Sequence, residues 1–365
     1  MKIFHLFANH KFTGPADPAL LLATAQKDAG HEVTFISSTI SGSDTNAVLE
    51  IAIERGLDTR QGLILSKHFH WKNTLRDIGK LRSWLKEDSP QVIHCHLKGD
   101  HLVASIAKGS RPGVLVKSQY DLDPPDDFRG RLCRRNTDLW IAPTCKSRDR
   151  LIEWQVPAEQ TMEMPPPTDI DRFRPSDSGK DPSPATDVMR VGVVARMQRH
   201  RRFPELIEAF SKAAKTDSRL VLEILGRGTH KEEVAEKPAA ASGLGERIRF
   251  PGYIDPSSYP ERLRQFDMLV FLVPGSDGTC RAAREALASG VPVITSKRGL
   301  LPELIPSDSG IHLPTESTED LCSAILRLSN EPQMRRSMAK NARNFATQQL
   351  DVNRHINTLD GHLEQ

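Results

Sequence analysis

The chain has 365 residues, more than one growing hydrophobic core usually serves, so two domains are expected. Its 50 Lys and Arg against 47 Asp and Glu leave a formal net charge of +3, too balanced for a general nucleic-acid binder. The apolar runs are strand-sized, which predicts no transmembrane helix, and Met1-Lys2 runs straight into one of them, so no signal peptide is read. The five cysteines (Cys95, Cys133, Cys145, Cys280 and Cys322) are scattered without a CxxC pair. They predict reduced thiols in a cytoplasmic protein, not a disulfide or zinc framework.

In chain order, Ile3 to Ala8 predicts a short buried strand. Asn9 to Asp17 is a loop with Gly14 and Pro15; a helix follows to Ala29, with Gly30 as its cap, and Val33 to Ile36 is the next strand. This is a strand–helix–strand unit of the doubly wound type. The alternation continues with a strand at Leu63 to Leu65, an amphipathic helix over Lys72 to Lys86, and a strand at Gln91 to His94 that ends in His94-Cys95-His96. Leu102 to Lys108 is helical, Val114 to Lys117 and Leu139 to Pro143 are strands, and Ser147 to Trp154 is a helix. The first α/β domain is therefore placed at 1–168.

Met164-Pro165-Pro166-Pro167 breaks any regular element. The polar stretch from Ser176 to Asp187 reads as part of an inter-domain linker at 169–189. A second alternating set then fills 190–345. It has strands at Arg190 to Ala195, Leu220 to Leu225 and Arg247 to Phe250, and helices at Glu205 to Ala214 and Ser258 to Phe266. Helices over Ser317 to Ser329 and Pro332 to Gln349 come last, and 346–365 reads as a terminal helical segment crossing back to the first domain.

The most informative stretch is Met268 to Thr295. An apolar strand, Met268 to Val273, leads into a glycine-containing loop, Pro274 to Gly278, then an Ala-rich helix closed by Gly290, then a second strand from Val291. Loop amides and a helix N-terminus point the same way there, which suits an anion. Asp277 and Glu285 bracket the site. At the helical rise they lie about 12 Å apart, too far for one proton shuttle but suited to two ends of an extended ligand.

These residues together resemble retaining glycosyltransferases of family 4, which have the GT-B fold. Asp277-x7-Glu285 stands where that family has Glu-x7-Glu. Val191 to Arg196 with Arg201 resembles its phosphate-binding strand and loop, and Leu222 to Gly228 its Gly-x-Gly turn. Ile248 to Tyr253, Arg298 to Glu303 and Arg172 to Pro175 resemble further segments, so the likeness spans essentially the whole chain. It implies an α/β chain of two Rossmann-like domains facing each other across a cleft, the second holding a nucleotide-diphosphate-sugar donor.

The resemblance also implies roles. Arg196 and Arg201 would neutralise the donor diphosphate and stabilise it as it leaves. The family usually has Lys where Arg201 stands. The alternative is that Arg199-His200-Arg201-Arg202 is a solvated basic run. Glu285 would accept from the ribose hydroxyls, the other reading being a surface helix residue; Asp277, a methylene shorter than the family's Glu, would meet the sugar. The amides of Gly278, Thr279, Cys280 and Arg281 would grip sugar and phosphate, although the family's loop usually runs Gly-Phe-Gly-Leu. Gly226 shapes the turn, and Tyr253 and Ile254 lie near the base or simply in the core. Gly14 would let the backbone approach phosphate.

On the acceptor side, His94 and His96 share one strand face. Zinc would need further ligands, and none is evident, so one histidine lines the acceptor pocket, with His96 counted among the catalytic residues. Tyr120, with Asp121 beside it, stands where the family has a histidine. Asp121 and Asp123 have the spacing of a metal-binding Asp-x-Asp, but Pro124-Pro125 and their place in the first domain speak against it. The resemblance implies a front-face, retaining transfer with no metal and no cofactor, in cell-envelope glycan biosynthesis, to an unidentified glycan, lipid or small-molecule acceptor. Arg129, Arg131, Arg134 and Arg135 read either as a contact for anionic lipid headgroups at the inner membrane or as a solvated helix face. Two other functions stay open: a nucleotide-sugar 2-epimerase on the same fold, and a non-catalytic nucleotide-sugar-binding protein. A nicotinamide oxidoreductase is disfavoured, because no GxGxxG follows the first strand.

Overall fold

The computed structural model of the chain describes residues 1–39, 45–66, 69–176, 188–273 and 278–363. The chain forms two units. The first is Met1–Pro167 with Val352–Gln365 and the short piece carrying Gly278 and Thr279; the second is Thr168–Gly275 with Cys280–Asp351.

The first unit runs β1 (Lys2–Phe7), α1 (Ala16–Asp28), β2 (Glu32–Ser37), α2 (Ala47–Glu54), β3 (Asp58–Thr59), α3 (Trp71–Asp88) and β4 (Val92–Cys95). It continues with α4 (Lys98–Lys108), β5 (Val114–Ser118), α5 (Phe128–Arg135), β6 (Leu139–Ala142), α6 (Cys145–Glu153) and β7 (Thr161–Glu163). All pairings are parallel, in the order β3-β2-β1-β4-β5-β6-β7. A parallel sheet is buried on both faces, so its strands read as near-continuous apolar runs. Accordingly Ile3 and Phe7 enter one core with α1, while Phe4 and Leu6 enter another with α3 and α4. His5 is the polar exception in β1, fully buried and paired in register with His94 of β4.

The strand expected at Leu63 to Leu65 does not form. Asp77 of α3 takes the backbone N–H groups of Ile64 and Leu65 at 2.9 and 2.8 Å, so they are unavailable to a sheet, and Asp58–Thr59 forms the edge instead. Short helices start at side-chain caps: Asn46 accepts from Leu49 N–H, Asp127 from Gly130 N–H and Thr144 from Ser147 N–H.

The second unit runs β8 (Met189–Val194), α7 (Phe203–Thr216), β9 (Leu220–Leu225), α8 (Lys237–Ala241), β10 (Ile248–Gly252), α9 (Tyr259–Arg264) and β11 (Met268–Phe271). Then come α10 (Arg281–Ala288), β12 (Val293–Thr295), α11 (Leu301–Leu304), β13 (Gly310–His312), α12 (Thr318–Asn330) and α13 (Pro332–Gln349). Its parallel sheet has the order β10-β9-β8-β11-β12-β13. Its core joins Val191 and Val193 of β8 to Leu206 and Phe210 of α7 and to Leu321 and Ile325 of α12.

After α13 the chain turns at Leu350 and Asp351 into α14 (Val352–Leu363), which belongs to the first unit. Ile356 and Leu359 of α14 join the core of α1 and β1. Within the second unit, Thr168 bridges Asp351, and its N–H donates to Leu350 O at 2.8 Å. Arg284, fully buried on α10, donates from Nη1 to Thr168 Oγ1 at 2.6 Å.

Candidate active site

In the second unit, the carboxyl ends of β8, β9 and β10 are tied together by backbone hydrogen bonds. Ala195 N donates to Leu225 O at 3.1 Å, Met197 N to Arg227 O at 3.0 Å, and Gly226 N to Gly252 O at 2.8 Å. This contact explains the glycines. A Cβ at Gly226 (φ +134) would stand 2.3 Å from Ala195 O, and one at Gly228 would stand 2.1 Å from Met197 O. The loop that carries Arg196 is thus pinned to the Gly-x-Gly turn, with Arg196 itself exposed. Open parallel sheets bind ligands at this edge.

The basic run divides into separate roles. Arg199 forms a fork with Glu233, and Arg202 pairs with Glu205 and Glu316. Arg201, half-buried, donates from Nη1 to Val273 O at 2.8 Å, so its guanidinium is anchored just past β11. Arg227 lies 4.3 Å over the ring of Tyr253, which is exposed, and Ile254 is half-buried; neither sits in the core.

Asp277 falls outside the described residues. After it, Gly278 (φ +66) and Cys280 (φ +49) both take left-handed backbone, and Thr279 and Cys280 are buried. Glu285 is 1% exposed and is therefore not a surface helix residue. Tyr259 Oη donates to its Oε2 at 2.9 Å, and Arg281 Nε donates to its Oε1 at 2.7 Å. The Arg281 side chain is therefore committed to Glu285. A buried carboxylate requires such partners. Tyr259 was not foreseen, because nothing in the local pattern links it to a residue 26 positions later; its ring packs edge-on to Phe173 at 5.8 Å.

In the first unit, Gly14 sits in the turn before α1, closed by Ala16 N donating to Thr13 O at 3.0 Å. His94 and His96 share a sheet face, as their spacing predicts, but the expectation that no further ligand stands near them needs correction. His5 brings a third imidazole, and ligand atoms of the three lie within 4.8 Å of one another. Strand pairing across 91 residues produces this, which spacing cannot reveal. Five of the six ring nitrogens take part in these hydrogen bonds: His5 Nε2 to Gln26 Oε1 at 2.8 Å, His5 Nδ1 to His96 Nε2 at 3.0 Å, His96 Nδ1 to Tyr120 Oη at 2.9 Å, and His94 Nε2 to Ser118 Oγ at 2.8 Å. Burial pushes His5 down to about 4 and holds His94 and His96 well below the usual histidine range. A metal would have to displace those hydrogen bonds.

Asp100 was also missed. It is fully buried and accepts from the N–H groups of Ala8, His96 and Leu97, clamping the ends of β1 and β4. Tyr120 is buried, and Asp121 O accepts from Ser147 Oγ at 3.1 Å. Asp123 pairs with Arg150 at 3.7 Å. On α5, Arg129 pairs with Asp127 and Arg131 with Asp126, so part of the basic cluster is neutralised locally.

Comparison with known proteins identifies the family and the fold. The family model described as glycosyl transferases group 1 matches residues 179–345, and the model described as Glycosyltransferase Family 4 matches residues 19–172. The chain is 25% identical to a glycogen synthase of Mycobacterium tuberculosis, over 90% of this chain and 86% of that one. Among solved structures it resembles Anabaena Alr3699/HepE in complex with UDP, with TM-score 0.81, 19% identity and all of both chains covered. It also resembles a putative UDP-N-acetylglucosamine 2-epimerase of Listeria monocytogenes, with TM-score 0.69 and 17% identity over 100% of this chain and 96% of that one. The chain belongs to the group 1 glycosyltransferases and has their two-domain GT-B fold.

Proposed function

We propose that this glycosyltransferase moves a hexose-type sugar from a UDP-sugar to a glycan, lipid-linked or small-molecule acceptor, with retention and without a divalent metal. The observation that carries this reading is Glu285: a buried carboxylate, held by Tyr259 and Arg281, on the helix that follows the Gly278 loop. A carboxylate held in this way suits a ribose diol, which donates two hydrogen bonds. The uridine assignment is supported by the likeness to the UDP complex. Arg196 and the anchored Arg201 would supply the positive charge that a leaving diphosphate needs, the role a divalent cation plays in other sites. Asp277 and the Gly278–Arg281 amides would meet sugar and phosphate.

For the acceptor, α5 supports contact with anionic lipid headgroups. Phe128 is 83% exposed, and Arg129 lies 4.9 Å over the exposed ring of Phe69. Among the described residues no helix is long and apolar enough to cross a membrane, so such contact would be peripheral.

The test is a thermal-shift screen against UDP-, GDP- and ADP-sugars, with Glu285→Gln alongside. A ligand that binds the native state raises the melting temperature by mass action. UDP-sugars should raise it in the wild type and much less in the variant. If no nucleotide sugar shifts it, the donor-site assignment fails. Incubation with donor alone separates transferase from 2-epimerase, since only the latter releases UDP and an altered sugar without acceptor. Equal rates in magnesium and in chelator are expected.

A further inference from the structure

In the second unit a closed circuit of contacts joins the loops beyond the carboxyl ends of β8, β11, β12 and β13, and Arg202 is its unusual member. Although it carries a Cβ, Arg202 holds left-handed backbone (φ 60, ψ 35) between the short turn Arg199–Arg201 and α7. That conformation is unfavourable for any residue other than glycine. Its side chain is held at three points. Nε donates to Glu205 Oε1 at 3.3 Å, Nη1 to Glu316 Oε2 at 2.7 Å, and Nη2 to Glu316 O at 2.8 Å. Arg298 grips the same carboxylate from the other side, with Nε 2.5 Å from Oε1 and Nη2 on Oε2. The hydrogen bonds from Arg298 hold the Glu316 carboxyl below the usual carboxylate range, so it is ionised at neutral pH. From Arg298 the circuit returns across the strand ends. Arg298 N donates to Ser296 Oγ at 3.3 Å, and Ser296 Oγ donates to Leu272 O at 2.6 Å. The next residue, Val273, accepts at its O from Arg201 Nη1 at 2.8 Å, and Arg201 leads directly into Arg202. Arg201 is thus fixed at both ends: Arg202 sets where its backbone leaves the turn, and Val273 O anchors its guanidinium.

We infer that Arg202, Glu316 and Arg298 are positioning residues that hold the Arg201 guanidinium in place for the diphosphate of the donor. Two guanidiniums, Arg202 and Arg298, face two carboxylates, Glu205 and Glu316, so the clamp's own charges balance and its part is placement, not added charge. Placement matters because a guanidinium serves a diphosphate only where its forked N–H groups meet the oxygens. A side chain held in advance also spares the entropy of ordering it when the ligand arrives. A glycine at 202 would take the same backbone angle freely, but it would leave the circuit open between Arg201 and Glu316. The arginine accepts the strained angle, and its side chain closes the circuit. That the ligand is a diphosphate rests on the donor reading above. The circuit does not.

The test is calorimetric titration of the full-length protein with UDP, and with uridine, which lacks the diphosphate, in competition. Arg202→Gly removes the three side-chain hydrogen bonds without straining the turn. It should weaken UDP about tenfold, the weight of one charge-assisted hydrogen bond, and leave uridine unchanged. Arg201→Ala should also weaken UDP, and adding Arg202→Gly to it should cost nothing further, because Arg202 acts through Arg201. Glu316→Ala opens the circuit on its other side; it takes the place of Arg202→Gly if that variant does not fold, with the same outcomes expected. Equal losses for UDP and uridine would reveal a general structural role, and losses that add to that of Arg201→Ala would reveal a direct contact with the ligand; either overturns the inference. UDP binding that ignores these variants defeats this inference alone and leaves the donor reading standing. A wild type that binds neither UDP nor uridine defeats the donor reading, and the inference falls with it.

Discussion

Acidification should weaken the first unit through its buried histidines, and His5 allows the effect to be sized. Its usual value is 6.5, and burial lowers it to about 4 in the folded chain. The folded state therefore favours neutral His5, while the unfolded chain takes up a proton below 6.5. Stability from this group is present above 6.5 and is lost as pH falls from 6.5 through about 4. Between pH 7 and pH 5 the loss from His5 alone is about 2 kcal/mol. His94 and His96, also lowered by burial, act in the same direction. Asp100, pushed up to about 7 by burial, acts in the opposite direction, because its folded form holds a proton the unfolded chain has released. The decisive quantity is thus a difference between two proteins. Urea unfolding of wild type and His5→Gln at pH 7 and pH 5 cancels Asp100, which both contain. All four tryptophans (Trp71, Trp84, Trp140 and Trp154) lie in the first unit, so their fluorescence follows that unit alone. The wild type should lose about 2 kcal/mol more than His5→Gln on going to pH 5. Equal losses in the two proteins would show that His5 is not held neutral by burial.

Three further outcomes are expected. Gly278→Ala places a methyl 2.0 Å from a backbone oxygen at φ +66, so it should cost at least about 2 kcal/mol or displace the loop, read as a lower melting temperature and lost UDP-sugar turnover. Glu285→Gln keeps the shape of the side chain but weakens the Arg281 ion pair; UDP-sugar affinity, measured by calorimetry, should fall about tenfold while the far-ultraviolet spectrum stays unchanged. Cys145 is exposed, whereas Cys95, Cys133 and Cys280 are buried, with Cys133 pushed up to about 11, and Cys322 is half-buried with its thiol raised by burial. One fast-reacting thiol should therefore be titrated by a disulfide reagent, and Cys145→Ser should remove it.

Much of the fold was legible because its signals are local. Leu220–Leu225 and Pro332–Gln349 form with the expected bounds, since an apolar run of strand length and an amphipathic helical period are written in adjacent residues. The elements that escaped notice were short: α2, β3, β7, α8, α11 and β13 carry too few residues to establish a period. Leu63 to Leu65 had a strand's composition, but Asp77 took its backbone donors, a competition visible only once α3 is packed.

The site divides in the same way. Gly226, the Arg196 loop and the buried acid Glu285 could be recognised from sequence, because a turn needs its glycine and a loop its position after a strand. Their partners could not. Tyr259 for Glu285, Thr168 for Arg284, and His5, Gln26 and Asp360 behind His96 come from distant parts of the chain. The sequence by itself determined where strands, turns and charges fall, since those follow from backbone preferences and side-chain period. Tertiary structure alone decided which polar groups share a hydrogen bond, because burial forces each one to find a partner wherever the folded chain brings one within about 3 Å.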